Sequence, residues 1–271
     1  MMFEHNDTLH ELTQKSSLQD KLKATHHSIN ETFPFIARIA IAIYDPDTQD
    51  LKTFLHSSGG DNPLDHYQSL LMNAPSLKKI FERGIPRVVN DLNEFKDGEH
   101  EHTKKLHEHG YAASYTMPMY NQGVFIGFLF FNSDKKDVFD NSVLRQLDLY
   151  GHMISLLIVN EFSSIQTLSA AIKTTGKLSH LRDPETGSHL DRMSRYSWII
   201  ANALADKYDL NDTYIEHIFM FAPLHDIGKI GIPDNILLKP GSLNENEWEI
   251  MKTHAQKGRE MIDDLLKTFG L

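Results

Sequence analysis

Two short segments of the sequence carry side chains whose types and spacing suit metal chemistry. Glu185 and His189 lie four positions apart, so a helix would place both on one face, where they could bind one metal ion. His225 and Asp226 are adjacent and directly follow the apolar segment 218–224. An imidazole and a carboxylate at one helix end suit a hard or borderline divalent cation. The four residues are therefore candidate metal ligands.

Three further side chains near these ligands could act on a phosphate or complete the site. Lys229 lies one turn after His225, where an ammonium group could hold a phosphate or protonate a leaving oxygen. Arg192 follows His189 by three positions and could bind phosphate or pair with an acid. His254 lies in a further predicted helix. Taken singly, each residue could equally cap a helix or belong to a solvated surface pair.

Three segments in the second half of the chain together resemble the HD-GYP family, a branch of the HD phosphohydrolase superfamily. They are RDPETGSHLDR, HDIGKIGIPDNILLKPGSL and EWEIMKTH, and the resemblance extends over about residues 165–271. It implies a helical domain that holds two or three divalent metal ions, usually iron or manganese, and hydrolyses cyclic di-GMP. The implied metal ligands are Glu185, His189, His225, Asp226 and His254. The resemblance makes His225, Asp226 and Lys229 catalytic, and we assign substrate contacts to Lys229 and Arg192.

The sequence departs from the family pattern after His254. The later His pair, the later Asp and the GYP segment that names the family do not occur before Leu271. Asp263 and Asp264 are too close to His254 to replace the later Asp, and they fit the polar face of a helix. We therefore expect the HD-type domain to be partial, and the 271-residue chain to bind metal weakly and to have little or no phosphodiesterase activity.

The first half of the chain resembles a GAF domain over roughly residues 20–160. The resemblance is carried by IAIYDPDTQDLKTFLHSSG and by MPMYNQGVFIGFLFFNSDKKDVFDNSVLRQLDLYGHMISLLI, which matches the last hairpin and the closing helix of that family. It implies a six-stranded sheet with flanking helices, often with a pocket and often dimeric, and leaves the ligand unknown. His100, His102, His107 and His109 suggest metal or haem, but a solvated polar face is the favoured alternative.

Hydrophobic patterning supplies the elements that would position these residues. Alternating apolar residues around turn-forming residues predict hairpins at 36–59 and 114–133, and a short strand at 87–90. Helices are predicted at 8–30, 66–83, 187–206, 211–224 and 244–268, the last with a capping box formed by Ser242 and Glu245. The predicted fold class is α+β. It has a GAF-like sensor domain (1–160), a connecting signalling helix (140–180) and an all-α HD-type domain (165–271).

An apolar stripe predicts that the connecting helix is continuous from about residue 140 to 175. Its members alternate in three- and four-residue steps: Leu144, Leu147, Ile154, Ile158, Ile165, Leu168 and Ile172. Gly151 and Glu161 interrupt it. The stripe could pack on the chain's own sheet, or it could pair with a second copy. We expect a parallel homodimer with Ile158 in its interface.

Composition limits the classes of function. With 271 residues, 40% hydrophobic and 24% charged, the chain has the size and composition of two globular domains. A formal net charge of −10 argues against a nucleic-acid polymer as partner. The absence of cysteine excludes disulfides, thiolate zinc sites and the usual anchor of a bilin. No apolar run is long enough for a membrane span or a secretory signal, so we expect a cytoplasmic protein.

These patterns favour a metal-dependent phosphodiesterase that hydrolyses cyclic di-GMP and is regulated by a GAF sensor domain. Two alternatives stay open. One is a catalytically incomplete sensor or binding protein, and the other is an HD-type hydrolase of another nucleotide.

Overall fold

Six β-strands and their flanking helices make up the first part of the chain, and the described residues of the second part are helical. The computed structural model describes residues 7–59, 68–95, 109–179 and 187–269. It divides into two units, one comprising Met1–Glu161 with Asn211–Thr213 and the other Phe162–Leu210 with Tyr214–Leu271. The α+β fold class predicted from the sequence is confirmed.

The elements are numbered in chain order. The strands are β1 (Ile36–Asp45), β2 (Asp50–Ser58), β3 (Gln68–Leu70), β4 (Arg87–Val89), β5 (Ala113–Asn121) and β6 (Val124–Ser133). The helices are α1 (Leu18–Thr32), α2 (Pro75–Arg83), α3 (Asn141–Ser179), α4 (Gly187–Ala203), α5 (Ala205–Tyr208), α6 (Asp212–Phe221), α7 (Asp234–Leu237), α8 (Glu245–Lys252) and α9 (His254–Phe269). Of the histidines 100, 102, 107 and 109, the first three lie outside the described residues.

The strands form one antiparallel sheet in the order β3-β2-β1-β6-β5-β4. Both predicted hairpins are present. Gln122 and Gly123, with φ of 49° and 83°, supply the left-handed turn that matches the twist of β5 and β6. The helix predicted at 66–83 is wrong at its start, because β3 occupies Gln68–Leu70 and α2 begins only at Pro75. A three-residue edge strand is too short to show an alternation of apolar and polar residues in the sequence.

The apolar stripe of α3 packs on its own sheet. Leu147, Ile154 and Ile158 are each at most 1% exposed, and the last two lie with Ile41 of β1 around one small apolar gap. The alternative in which the stripe packs within its own domain is therefore correct for these residues. A coiled-coil seam and a sheet-facing stripe have the same spacing, so the sequence did not separate them.

Gly151 is part of this packing. A Cβ at Gly151 would lie 2.4 Å from the Met117 sulphur and 3.4 Å from Leu129 Cδ2, so the missing side chain lets α3 approach the sheet. The Tyr115 hydroxyl donates to the Asp148 carboxylate from the same side of the sheet. α1 and α3 therefore cover one face of the sheet, and the strands beneath them include β1, β5 and β6.

His26 is a buried residue of α1, and both of its ring nitrogens make hydrogen bonds. Its Nε2 donates to the Ile36 carbonyl oxygen at 2.8 Å, so its Nδ1 accepts from the Ser57 hydroxyl at 2.8 Å. Burial holds the pKa of His26 below its usual value and outweighs the opposite effect of the Ile36 hydrogen bond. The folded protein therefore keeps this imidazole neutral.

This buried imidazole makes the protein sensitive to mild acid. Below about pH 6.5 the unfolded chain binds a proton at His26 that the folded chain excludes. The free energy of unfolding should therefore fall as pH decreases from 6.5 towards the lowered pKa. Urea unfolding at pH 7.5 and 5.5 measures the loss, which should be smaller in His26→Gln. The exposed neighbour His27 is the control, and an equal reduction in His27→Gln would contradict the assignment.

In the second unit, a small core of Ala201, Ala205 and Ile215 joins α4, α5 and α6. The helix predicted at 244–268 is two helices, because α8 ends at Lys252 and α9 begins at His254. The capping box also differs from the prediction. Asn244 caps α8 and pairs with Glu247, whereas Ser242 and Glu245 were expected. Both residue pairs fit the capping-box pattern, and the observed pair lies two residues later in the chain than the predicted pair.

Candidate active site

The His225–Asp226 pair lies in an irregular stretch between two 3-10 turns. α6 ends at Phe221, and the turn Ala222–Leu224, which contains a proline, follows it. Proline lacks the amide hydrogen that a continuing helix would need, so the α-helix stops before the pair. The second turn, Ile227–Gly231, follows at once. The pair is therefore held by tight backbone turns after the end of a helix.

Asp226 is the centre of a cluster of four ionisable side chains. Its Oδ2 lies 2.9 Å from the Nε2 of His225 and 2.8 Å from the Nζ of Lys229. Its Oδ1 lies 3.3 Å from the Nε2 of His254. We call these four residues the Asp226 cluster. The structure thus brings together three of the predicted metal ligands and the predicted catalytic lysine.

The hydrogen bonds of the two imidazoles fix their tautomers. The Nδ1 of His225 lies 2.8 Å from the Ala222 carbonyl oxygen, and the Nδ1 of His254 lies 2.7 Å from that of Met251. A carbonyl oxygen only accepts, so each Nδ1 carries the hydrogen and donates it. In a neutral imidazole the Nε2 then has a free lone pair. Both lone pairs face the Asp226 carboxylate.

This donor set fits a divalent cation by its chemistry. Two nitrogen lone pairs and a carboxylate are all acceptors, so a proton or a metal ion must lie between them. Metal-binding histidines commonly donate their second N–H to a backbone carbonyl, as His225 and His254 do. Within the described ranges, no group of three or more His, Asp or Glu side chains has the spacing needed to hold a metal ion. The Nε2 atoms instead contact Asp226 directly, so the fit rests on donor types and tautomers.

The remaining predicted site residues belong to α4 or precede it. His189 is the third residue of α4, and its ring centroid lies 6.2 Å from that of His225. Arg192, one turn later, is exposed. Glu185 lies outside the described residues. The structure therefore places His189 beside the Asp226 cluster and leaves Arg192 at the surface.

Two glycines bring the second 3-10 turn against the backbone of α9. A Cβ at Gly228 would lie 1.8 Å from the His254 carbonyl oxygen and 2.4 Å from the Gly258 amide nitrogen. A Cβ at Gly258 would lie 3.1 Å from the Ile227 side chain. At Gly228 only a hydrogen permits this approach, whereas at Gly258 a methyl group would require its neighbour to give by a few tenths of an ångström. The approach sets His254 within reach of Asp226, so both glycines position the cluster.

The role of Gly258 was not predicted from the sequence. A glycine inside a helix costs about 1 kcal/mol relative to alanine, so its presence in the amphipathic α9 was an available signal of close packing. The carbonyls of Ala222 and Met251, which orient the imidazoles, had no comparable signal. Every residue has a carbonyl, and only the folded backbone shows which one a ring contacts.

Comparison with known proteins locates a family match in the second part of the chain. The family model described as HD domain matches residues 189–271, which include His189 and the whole Asp226 cluster. None of the helices in the described residues is both long and apolar enough to cross a bilayer.

Two curated relatives of this chain come from Vibrio cholerae. A protein named "Probable cyclic di-GMP phosphodiesterase" is 47% identical over 105 residues, 37% of this chain and 24% of that protein. A protein named "3'3'-cGAMP-specific phosphodiesterase 2" is 31% identical over 152 residues, 50% of this chain and 28% of that protein. The chain therefore spans about a quarter of the length of these relatives.

The first part of the chain is similar to solved GAF domains. The crystal structure of the GAF domain from an Acinetobacter phosphoenolpyruvate-protein phosphotransferase matches 58% of this chain and 91% of that one, with 13% identity and a TM-score of 0.45. The six-stranded antiparallel sheet itself, observed directly, agrees with the predicted fold.

Proposed function

We propose that the HD domain at residues 189–271 is part of a metal-dependent phosphodiesterase that hydrolyses cyclic di-GMP. The observation that carries the proposal is that the Nε2 atoms of His225 and His254 both face the Asp226 carboxylate, while their Nδ1 atoms contact backbone carbonyl oxygens. The name of the 47% identical relative supports this substrate. In this proposal the sheet-containing domain is a sensor that regulates the hydrolysis.

The metal ligands in the proposal are His189, His225, Asp226 and His254, together with Glu185. All five offer nitrogen or carboxylate oxygen, which suits iron or manganese, and the chain has no cysteine thiolate to favour zinc. Two or three such ions, when bound, supply a hydroxide near neutral pH and neutralise charge on the phosphate. The protein's part is to hold the imidazoles in one tautomer by the two backbone carbonyls.

Lys229 is the cationic residue of the cluster that a substrate phosphate would contact. Its Nζ is held at 2.8 Å from Asp226, and its side chain is 22% exposed, so it is oriented yet reachable. From there the ammonium group can donate to a phosphate oxygen or give a proton to the leaving oxygen. Arg192 is exposed on α4, where its planar guanidinium can bind a second phosphate of the substrate.

A cyclic dinucleotide with two different bases is the second candidate substrate, and the name of the 31% identical relative favours it. Both candidates present the same phosphodiester to the Asp226 cluster, so the cluster does not separate them. A catalytically incomplete sensor remains the third alternative.

One assay distinguishes these possibilities. The protein, expressed at its natural length and loaded with Fe²⁺ or Mn²⁺, is incubated with cyclic di-GMP or with 3'3'-cGAMP, and products are separated by chromatography. We expect faster loss of cyclic di-GMP. Preference for 3'3'-cGAMP would support the second candidate substrate. If the metal-loaded protein hydrolysed neither compound, the catalytically incomplete sensor would be the remaining alternative.

The proposal includes a homodimer through the outer side of α3, which replaces the interface predicted at Ile158. Leu149 and Leu156 lie seven positions apart on this helix and are 73% and 68% exposed. That spacing puts both on one face, where they can pair with the same face of a second copy. A ligand bound to the sensor domain could then act on the HD domain by shifting the paired helices.

Two charged substitutions distinguish a residue of the proposed dimer interface from a residue of the buried core. Leu156→Glu should dissociate the dimer and leave the monomer folded, which light scattering during gel filtration would detect as a halved mass. Ile158→Glu buries a charge under the sheet and should lower the free energy of unfolding by more than about 3 kcal/mol. A wild-type mass near 31 kDa at micromolar concentration would rule out the dimer.

A further inference from the structure

Two helices of the second unit lead to opposite sides of the candidate active site. His189 is the third residue of α4, and α6 leads through the turn Ala222–Leu224 into His225. The ring centroids of His189 and His225 are 6.2 Å apart. The placement of α4 on α6 therefore sets how far His189 lies from the Asp226 cluster.

A side-chain hydrogen bond joins these two helices. The indole Nε1 of Trp198 in α4 donates to the Oε1 of Glu216 in α6 at 2.7 Å. Glu216 is 8% exposed, and the half-buried Trp198 packs against the core of Ala201, Ala205 and Ile215. The bond thus ties α4 directly to α6, through two side chains that the proposed function does not use.

A buried carboxylate is an expensive way to fill this part of the core. Taking it out of water is unfavourable unless hydrogen bonds replace its hydration. The apolar contacts of Ala201, Ala205 and Ile215 are non-directional, so they tolerate sliding of one helix along the other. A hydrogen bond of 2.7 Å to a charged acceptor fixes both a distance and a direction. The bond therefore selects one register of α4 on α6.

This register reaches the candidate site along both helices. Trp198 follows His189 by nine positions, and Glu216 precedes His225 by nine positions. A helix rises about 1.5 Å per residue, so Trp198 and His189 lie roughly 13 Å apart along α4. α4 also contacts the turn Ala222–Leu224, whose first carbonyl oxygen accepts the Nδ1 hydrogen of His225. The register of the two helices therefore also bears on the carbonyl that orients a proposed metal ligand.

We infer that Trp198 and Glu216 are positioning residues of this active site, whose hydrogen bond sets the distance between His189 and His225 and thereby the affinity for metal. The inference rests on the proposed function, because it requires that these imidazoles bind a metal ion. The two residues act through the placement of the ligands and do not bind the metal themselves. Replacing groups that orient metal ligands typically weakens metal binding by about tenfold or more.

The metal affinity of the folded protein tests this role. The protein at its natural length is titrated in a calorimeter with Mn²⁺ or, without oxygen, with Fe²⁺, at a temperature where urea unfolding shows each variant to be folded. Trp198→Phe keeps an aromatic ring in the core but removes the donor, and we expect it to bind the metal about tenfold more weakly. Trp248→Phe is the matched control, because Trp248 is 54% exposed in α8, and it should bind as wild type does.

Variants of the acceptor distinguish the hydrogen bond from simple packing. Glu216→Gln keeps an oxygen that accepts from the indole, so its metal affinity should be closer to that of wild type than to that of Glu216→Leu. Glu216→Leu fills a similar volume without an acceptor and should bind metal as weakly as Trp198→Phe. Because Trp198→Phe and Glu216→Leu remove the same bond, the double variant should lose no more affinity than either single variant.

The outcomes separate this inference from the proposed function. If Trp198→Phe and Glu216→Leu were less stable in urea but bound the metal as wild type does, the bond would serve the fold alone and the inference would be wrong. Additive losses in the double variant, or metal binding by Glu216→Gln as weak as by Glu216→Leu, would also overturn it. Wild-type protein that bound neither Mn²⁺ nor Fe²⁺ would instead contradict the proposed metal-dependent function, and this inference would fail with it.

Discussion

If the proposed function holds, Asp226→Asn in the protein at its natural length should lower the hydrolysis of cyclic di-GMP by about a hundredfold and reduce the metal content of the purified protein. Asp226 contacts His225, Lys229 and His254 through its two carboxylate oxygens. The amide keeps the shape of the side chain but loses the charge, and one of its two ends becomes a donor. A neutral amide is a poor ligand for a divalent cation beside two imidazoles.

The measurement is a rate of product formation together with the metal content per chain. Asp263→Asn is the control, because Asp263 is an exposed residue of α9 that forms an ion pair with Arg259 at 3.7 Å. This control should keep both activity and metal. If Asp226→Asn retained wild-type metal and rate, the Asp226 cluster would not be the catalytic centre.

The hairpins and the grouping of the candidate site residues could be predicted from the sequence because their signals are local. Alternating apolar residues on both sides of Asn121–Gly123 specify two strands and a turn whatever packs on them. His225, Asp226 and Lys229 lie within five residues, so any compact turn brings them together. His254 came from the resemblance, and the structure shows the glycine contact that places it.

The incorrect predictions have a common physical cause, because some sequence patterns fit two different structural environments. The stripe of α3 has the same spacing whether Ile158 faces a second helix or a sheet, and only the docked sheet decides.

Gly228→Ala should separate His254 from Asp226 and destabilise the second unit. The new Cβ would lie 1.8 Å from the His254 carbonyl oxygen, and backbone atoms cannot move aside as a flexible side chain can. Overpacking of this kind costs about 3 kcal/mol. Because the carbonyl belongs to His254 itself, the displacement also moves the imidazole that is proposed to bind metal. A misplacement of about 1 Å is enough to cost about a hundredfold in rate.

Gly231→Ala is the matched control, since it lies in the same 3-10 turn and adds the same methyl group. Its Cβ would meet only the Lys257 side chain, at 3.0 Å, and that chain can rotate away. Urea unfolding and metal content should therefore change little in Gly231→Ala and fall together in Gly228→Ala. If Gly228→Ala were only less stable, with metal affinity and rate intact at a temperature where it is folded, the glycine would serve packing alone. Loss of metal in the folded variant would show that contact between Gly228 and α9 is what holds His254 at the site.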